Sequence, residues 1–260
     1  MKSSDGKTFV YEKNPLVEVI CQLRFPPILS IDAKAPADFQ DTVRENFPRY
    51  QLNVEKVQRA GQVEEVRNHS FISEDGTYKL SLTKSFIALS TMRYTGWEDF
   101  AGTLDEPLGQ FIQVYRPAYF ERVGLRYVNA VNRKKLELNG RRWNDLFQPQ
   151  YLGPLDDDAV DEEKVTKCAV ELEMMRTEKI GLKLHAGPGR INRTVRTPNG
   201  VQTLQDPETH FIFDQDLYVR GNLKLPAVAE SLSALHEEAD RLFSDAITDA
   251  LHEAMGPVVV

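Results

Sequence analysis

Apolar positions along the chain switch between strand-like runs and helical stripes, and the switches predict the elements. Pro15 to Phe25 carries Leu16, Val17, Val19, Ile20, Leu23 and Phe25, a β-branched run expected to be a strand buried on at least one face. Pro26–Pro27 ends it. Pro36 then suits the first turn of a helix through Phe47, with Phe39, Val43 and Phe47 spaced by four. Short strands are predicted at Leu52–Val57, Gln62–Val66, Ser70–Ser73, Tyr78–Leu82 and Phe86–Met92, with Asp75–Gly76 as a hairpin signal. A helical stripe follows: Trp97, Phe100, Leu104, Leu108, Phe111, Ile112 and Tyr115, which Pro107 is expected to kink or divide.

The pattern then restarts. Phe120–Val131 reads as a second long strand and Arg141–Phe147 as a short helix before Pro149. Strands are expected at Lys164–Arg176, Ile180–His185 and Thr209–Arg220. A last helix spans Pro226–Met255, with Gly256–Pro257 as its stop. Leu23–Arg24–Phe25 matches Leu125–Arg126–Tyr127 near the end of each first strand. Phe39–Gln40–Asp41 with Phe47–Pro48 resembles Trp143–Asn144–Asp145 with Phe147 and Pro149.

The expected class is therefore α+β: two tandem β-α-β(3-4)-α units, residues 1–117 and 118–260. This order resembles the duplicated TATA-binding-protein-like fold, in which two antiparallel sheets join into one curved sheet with long helices on one face. A single helix-grip domain is the alternative. Neither half has enough apolar residues to cover both faces of a sheet, so one cooperative body is expected.

Composition and charge narrow the classes. The 260 residues carry 39 acidic and 32 basic side chains, a net charge of −7, which argues against a generic phosphate-coating protein while leaving room for a local basic groove. Two cysteines, Cys21 and Cys168, make neither a disulfide framework nor a zinc site. Met1–Lys13 is polar, without the apolar core of a secretory leader, and no run is long enough to span a membrane. A cytoplasmic protein without a membrane role is expected. No nucleophile elbow, Walker motif or Cys/His signature is present, so neither catalytic residues nor a cofactor or metal are expected.

Candidate chemistry rests on cations. Lys183, Arg190, Arg193 and Arg196 flank Gly187–Pro188–Gly189 without an intervening acid, and read as a hairpin tip or sheet-crossing loop able to clamp an anion or acidic partner. A solvated loop is the plainer reading. Arg133, Lys134, Lys135, Arg141 and Arg142 form a second cluster, which serves either as half of a groove or as neutralisation for the acidic loop Asp156–Glu163. Arg24 and Arg126 occupy matching strand positions. They are either paired anion contacts or structural ion pairs, with Glu18, Glu121, Asp214 or Asp216 as partners. Glu171 and Glu173 share one strand face, as do Asp214 and Asp216; if those strands paired, four acids would converge as an oxygen site for a divalent metal. Plain alternation in half-exposed strands gives the same pattern. The five histidines lack metal spacing, and Trp97 and Trp143 read as core anchors.

The opening Asn14–Pro15–Leu16–Val17–Glu18–Val19 with Leu23–Arg24–Phe25, and the closing Phe211–Asp216 with Leu235–His236, Leu242–Phe243 and Gly256, resemble a sporadically distributed, functionally uncharacterised prokaryotic family of about this length. The resemblance spans essentially the whole chain and supplies no catalytic residues. A patchy distribution is typical of mobile and antiviral-defence genes, including toxin–antitoxin modules. It implies a non-enzymatic binding or sensing subunit acting through a protein partner encoded nearby. Nucleic-acid binding by a concave sheet and the basic loops is the first alternative, and a metal-dependent hydrolase using strand carboxylates the second. A homodimer remains open.

Overall fold

The computed structural model describes residues 9–59, 62–197 and 200–259. Its elements run β1 (Phe9–Tyr11), β2 (Leu16–Arg24), α1 (Leu29–Ala33), α2 (Ala37–Val43), β3 (Arg49–Arg59), β4 (Gln62–Ile72), β5 (Tyr78–Thr83), β6 (Phe86–Thr91) and α3 (Trp97–Tyr115). They continue as β7 (Phe120–Val131), β8 (Val170–Met175), β9 (Ile180–Gly189), β10 (Asn192–Thr197), β11 (Gly200–Gln205), β12 (His210–Leu223), α4 (Leu225–Ala246), α5 (Asp249–Ala254) and β13 (Pro257–Val259). Four single turns of 3-10 helix lie between β7 and β8. The class is α+β, with a large antiparallel sheet whose strands follow the order β3-β4-β5-β6-β2-β7-β12-β9-β8. Two small ribbons, β1–β13 and β10–β11, stand apart from it.

The chain divides into two compact units, one of Glu18–Arg126 with Tyr218–His236, the other of Met1–Val17, Tyr127–Leu217 and Glu237–Val260. In the first, α3 buries Phe100, Leu104, Pro107, Leu108 and Phe111, as its spacing of three and four requires. Phe111 lies 4.8 Å from Phe25 and 6.4 Å from Phe39, which meets Phe71 edge-on at 5.5 Å. The helix neither breaks nor divides at Pro107; it runs unbroken through the proline to Arg116, whose left-handed φ of 48° caps it. In the β4–β5 turn Gly76 adopts a φ of 76°, and the Asp75 carboxylate accepts from Thr77 N at 2.9 Å.

In the second unit Phe147 stacks on Phe211 at 4.0 Å, and Phe213 contacts Tyr151 and Phe243 at 5.2 and 5.7 Å. Leu242, Phe243, Ala246, Leu251 and Met255 close this core. The terminal helix expected over Pro226–Met255 is two helices. The chain leaves α4 at Ile247, which bridges to Phe147, and Thr248 restarts it by accepting from Leu251 N and donating its hydroxyl to Asp145 O at 2.7 Å. The helix expected over Arg141–Phe147 is one 3-10 turn, Trp143–Asp145, because Gln148 N turns to Ala246 O instead.

Candidate functional site

The second unit contains a cleft of about 640 Å³, built from the turn after β7, the acidic loop and the approach to β12. Its lining includes Arg133, Lys134, Arg141 and Arg142 and the carboxylates of Asp158, Asp161, Glu162, Glu163 and Glu208, so four cations face five anions.

The floor is held by a polar network that composition does not announce. Asn132 Nδ2 lies 3.0 Å from His210 Nε2, and Asn132 Oδ1 accepts from Lys135 N at 3.0 Å. His210 Nδ1 donates to Glu208 O at 3.1 Å, which leaves Nε2 as the acceptor for the asparagine amide. Asn132, Asp206 and His210 are all buried, so these bonds are not exchanged with water and hold the two walls in register. Spacing alone offers no signal for Asn132 with His210, 78 residues apart.

Above the floor the basic cluster folds onto the acidic loop. Arg133 donates to Glu162 and, at 2.6 Å, to Arg141 O; its guanidinium carbon lies 4.1 Å from the Trp143 ring centre. Glu162 also accepts from Trp143 N at 3.0 Å. Arg142 donates to Asp158 Oδ1 at 2.9 Å and to the carbonyls of Asp157, Asp158 and Val160. Lys134 pairs with Glu208 at 3.1 Å. Arg141 and Lys135 are exposed and have no side-chain partner among the described residues. Trp143 is thus both the buried anchor expected of it and the shelf for Arg133.

The other candidates are dispersed. Of the two readings of Lys183–Arg196, the sheet-crossing loop does not hold, since most of the segment is strand, while its far end, Asn192–Thr197, is one arm of an antiparallel hairpin with Gly200–Gln205. Lys183 is exposed in the middle of β9, where it pairs with Glu173 at 3.2 Å, and β9 continues through Gly187–Pro188–Gly189. Gly187 is there because a Cβ would come within 2.4 Å of Cys168 O. Arg190 is exposed at the β9–β10 junction. Arg193 and Arg196 belong to the β10 backbone, and their side chains lie outside the described residues. Arg24, exposed at the end of β2, borders a small cavity with Asp32, Arg67 and Lys84; Arg126 is half-buried on β7, and both are engaged by other groups of the chain.

The four strand carboxylates do not converge, because β9 separates β8 from β12 in the strand order. Glu171 faces His185 across the ladder at 2.5 Å, as Glu173 faces Lys183. Among the described residues no three His, Cys, Asp or Glu side chains are grouped to hold a metal ion. No described helix is long and apolar enough to cross a membrane. No protein-family model matches the chain, and comparison with curated proteins and with solved structures returns no match.

Proposed function

We propose that the chain is a non-enzymatic cytoplasmic binding subunit that acts through a polypeptide partner, in the defence- or toxin–antitoxin-type setting its end motifs imply. The observation that carries this reading is the internal compensation of the cleft: Arg133, Arg142 and Lys134 are already bound to Glu162, Asp158 and Glu208. A phosphate-tracking groove needs cations with open donors, since its affinity comes from counterions released at each neutralised phosphate. A mixed-charge cleft with Arg141 and Lys135 exposed beside it suits a polypeptide bearing an acidic group among polar ones. The tandem TATA-binding-protein-like duplication is the architecture we assign to it. Reading outward from the neighbours β2 and β7, the sheet order is β6, β5, β4, β3 on one side and β12, β9, β8 on the other, and flanks of four and three strands are compatible with a repeat of three or four strands per unit.

The test is recovery of the tagged chain from its host at moderate salt, with the retained material assayed for protein and nucleic acid. The proposal expects a stoichiometric polypeptide that is lost in an Arg141→Glu, Lys135→Glu double variant with an unchanged melt. Nucleic acid retained with a steep salt dependence, and no polypeptide, overturns it.

A further inference from the structure

We propose that β3 is a self-association edge, on which a second copy of this chain adds its own β3 antiparallel about a two-fold axis through Leu52. The strand is outermost in the sheet, so the N–H and C=O groups along its outer side have no strand partner among the described residues. Tyr50, Leu52 and Val54 share one strand face and are 43%, 45% and 50% exposed. That face continues the core: Tyr50 pairs across the ladder with buried Phe71, its ring 5.6 Å away, and Leu52 pairs with buried His69. The opposite face of the same stretch is open as well, with Arg49, Gln51 and Glu55 exposed and Asn53 half-buried. The usual devices that blunt an edge are sparse, since β3 contains no proline and Lys56 is the one lysine on it.

The side chains of this strand are self-complementary in one register. A two-fold axis perpendicular to a sheet pairs residues equally far on either side of the axis, and opposed residues lie on the same face. With the axis at Leu52, each Leu52 meets its symmetry mate, and Tyr50 meets Val54 of the second copy. Gln51 meets Asn53, and Arg49 meets Glu55, each pair occurring twice. All exposed apolar positions of the stretch then face apolar ones, and the two charged positions face opposite charges. Arg49 donates to Ser73 O at 2.7 Å, which positions its guanidinium at the strand's end without satisfying its charge. Moving the axis to Val54 sets Leu52 against Lys56, and moving it to Glu55 sets that carboxylate against itself.

Sedimentation equilibrium on the full chain is the first measurement, and it should give the mass of two chains. Leu52→Lys places two ammonium groups on the axis and should shift the protein to the mass of one chain that still melts cooperatively, below the parent's melting temperature and, unlike the parent, independently of concentration. The register is read by oxidation in a Cys168→Ser background. Leu52→Cys should form a disulfide-linked dimer, because directly opposed Cα atoms fall within disulfide range. Val54→Cys should not, because its symmetry mate is four residues further along the ladder. A monomeric parent, a dimer that survives Leu52→Lys, or cross-linking at Val54→Cys and not at Leu52→Cys each overturns the proposal.

Discussion

The guanidinium of Arg133 lies 4.1 Å from the centre of the Trp143 ring, and the same group serves Glu162 and the carbonyl of Arg141. Three different acceptors around one planar cation hold the turn after β7 against the acidic loop. An ammonium cannot serve a ring face, a carboxylate and a carbonyl in those directions at once. Arg133→Lys should therefore lower stability by about 1–2 kcal/mol despite keeping the charge. Glu162→Gln should cost a similar amount, and the double variant less than the sum of the two, as a double-mutant cycle of urea melts will show. Strict additivity would mean that the two groups do not act on one another.

His69 makes stability depend on pH. It is 3% exposed, faces Leu52 across the β3–β4 ladder, and bonds the Tyr50 hydroxyl through Nδ1 at 2.9 Å. Its Nε2 is buried without a partner among the described residues. Burial lowers its pKa from the ordinary 6.5, with Asp32 partly opposing and Arg67 assisting. Above that ordinary value the ring is neutral in both states and nothing is lost. As pH falls below it, the unfolded chain takes up a proton that the folded chain resists, so stability declines toward acid. The decline approaches at most about 1.4 kcal/mol per pH unit. Thermal melts at pH 7.5 and 5.5 should show it, and His69→Leu should flatten that part of the profile.

Glu238 is a buried carboxylate clamped by two arginines. It is 5% exposed, and accepts from Arg176 Nε and Arg241 Nη1, both at 2.7 Å. Arg176 and Arg241 keep a third and more of their side-chain surface in water, so removing the acid strands no fully buried cation. The cost of Glu238→Ala should accordingly fall below the full buried-pair penalty, at about 2 kcal/mol. Glu238→Gln keeps one acceptor and should cost about half that. Denaturant titration of both variants measures the difference, and equal stability of all three chains would sink the argument.

What sequence made legible divides along the range of the interactions. The stripe of α3 was readable because Phe100, Leu104, Leu108 and Phe111 repeat within one element. The basic cluster at Arg133–Arg142 was readable as composition, and both of its uses could be stated. Choosing between them needed Glu162 and Asp158 to fold back onto it, which no local spacing encodes. The Lys183–Arg196 segment read as a hairpin tip or a loop because Gly and Pro usually end strands; its far end is in a hairpin with β11, and its near end is strand. In the fold Gly187 is demanded inside β9 by the Cys168 carbonyl of a neighbouring segment. The break at Ile247 was hidden since Leu251 follows Ile247 at the helical spacing of four. Its only local mark is Thr248, a good N-cap residue. The Asn132–His210 bond joins two segments through the interior and left no trace in either.

The two cysteines should react very differently. Cys21 is fully buried in β2, and burial pushes its thiol up to about 12, the nearby charge of Arg122 offsetting only part of that. The thiolate is the reactive species, so Cys21 has almost none of it at pH 8, and its sulfur is also shielded from reagent. Cys168 is half-buried and donates weakly to Leu152 O at 3.8 Å. A charged maleimide or disulfide reagent at pH 8 should modify one thiol per native chain, at Cys168, and two per chain in denaturant. Peptide mapping identifies the site. Cys21→Ser should leave the native stoichiometry at one, while Cys168→Ser should reduce it to nearly zero. Modification of Cys21 in the native chain at a rate comparable to Cys168 would mean that the sheet opens around β2 far more often than a strand buried at Val19, Cys21 and Leu23 allows.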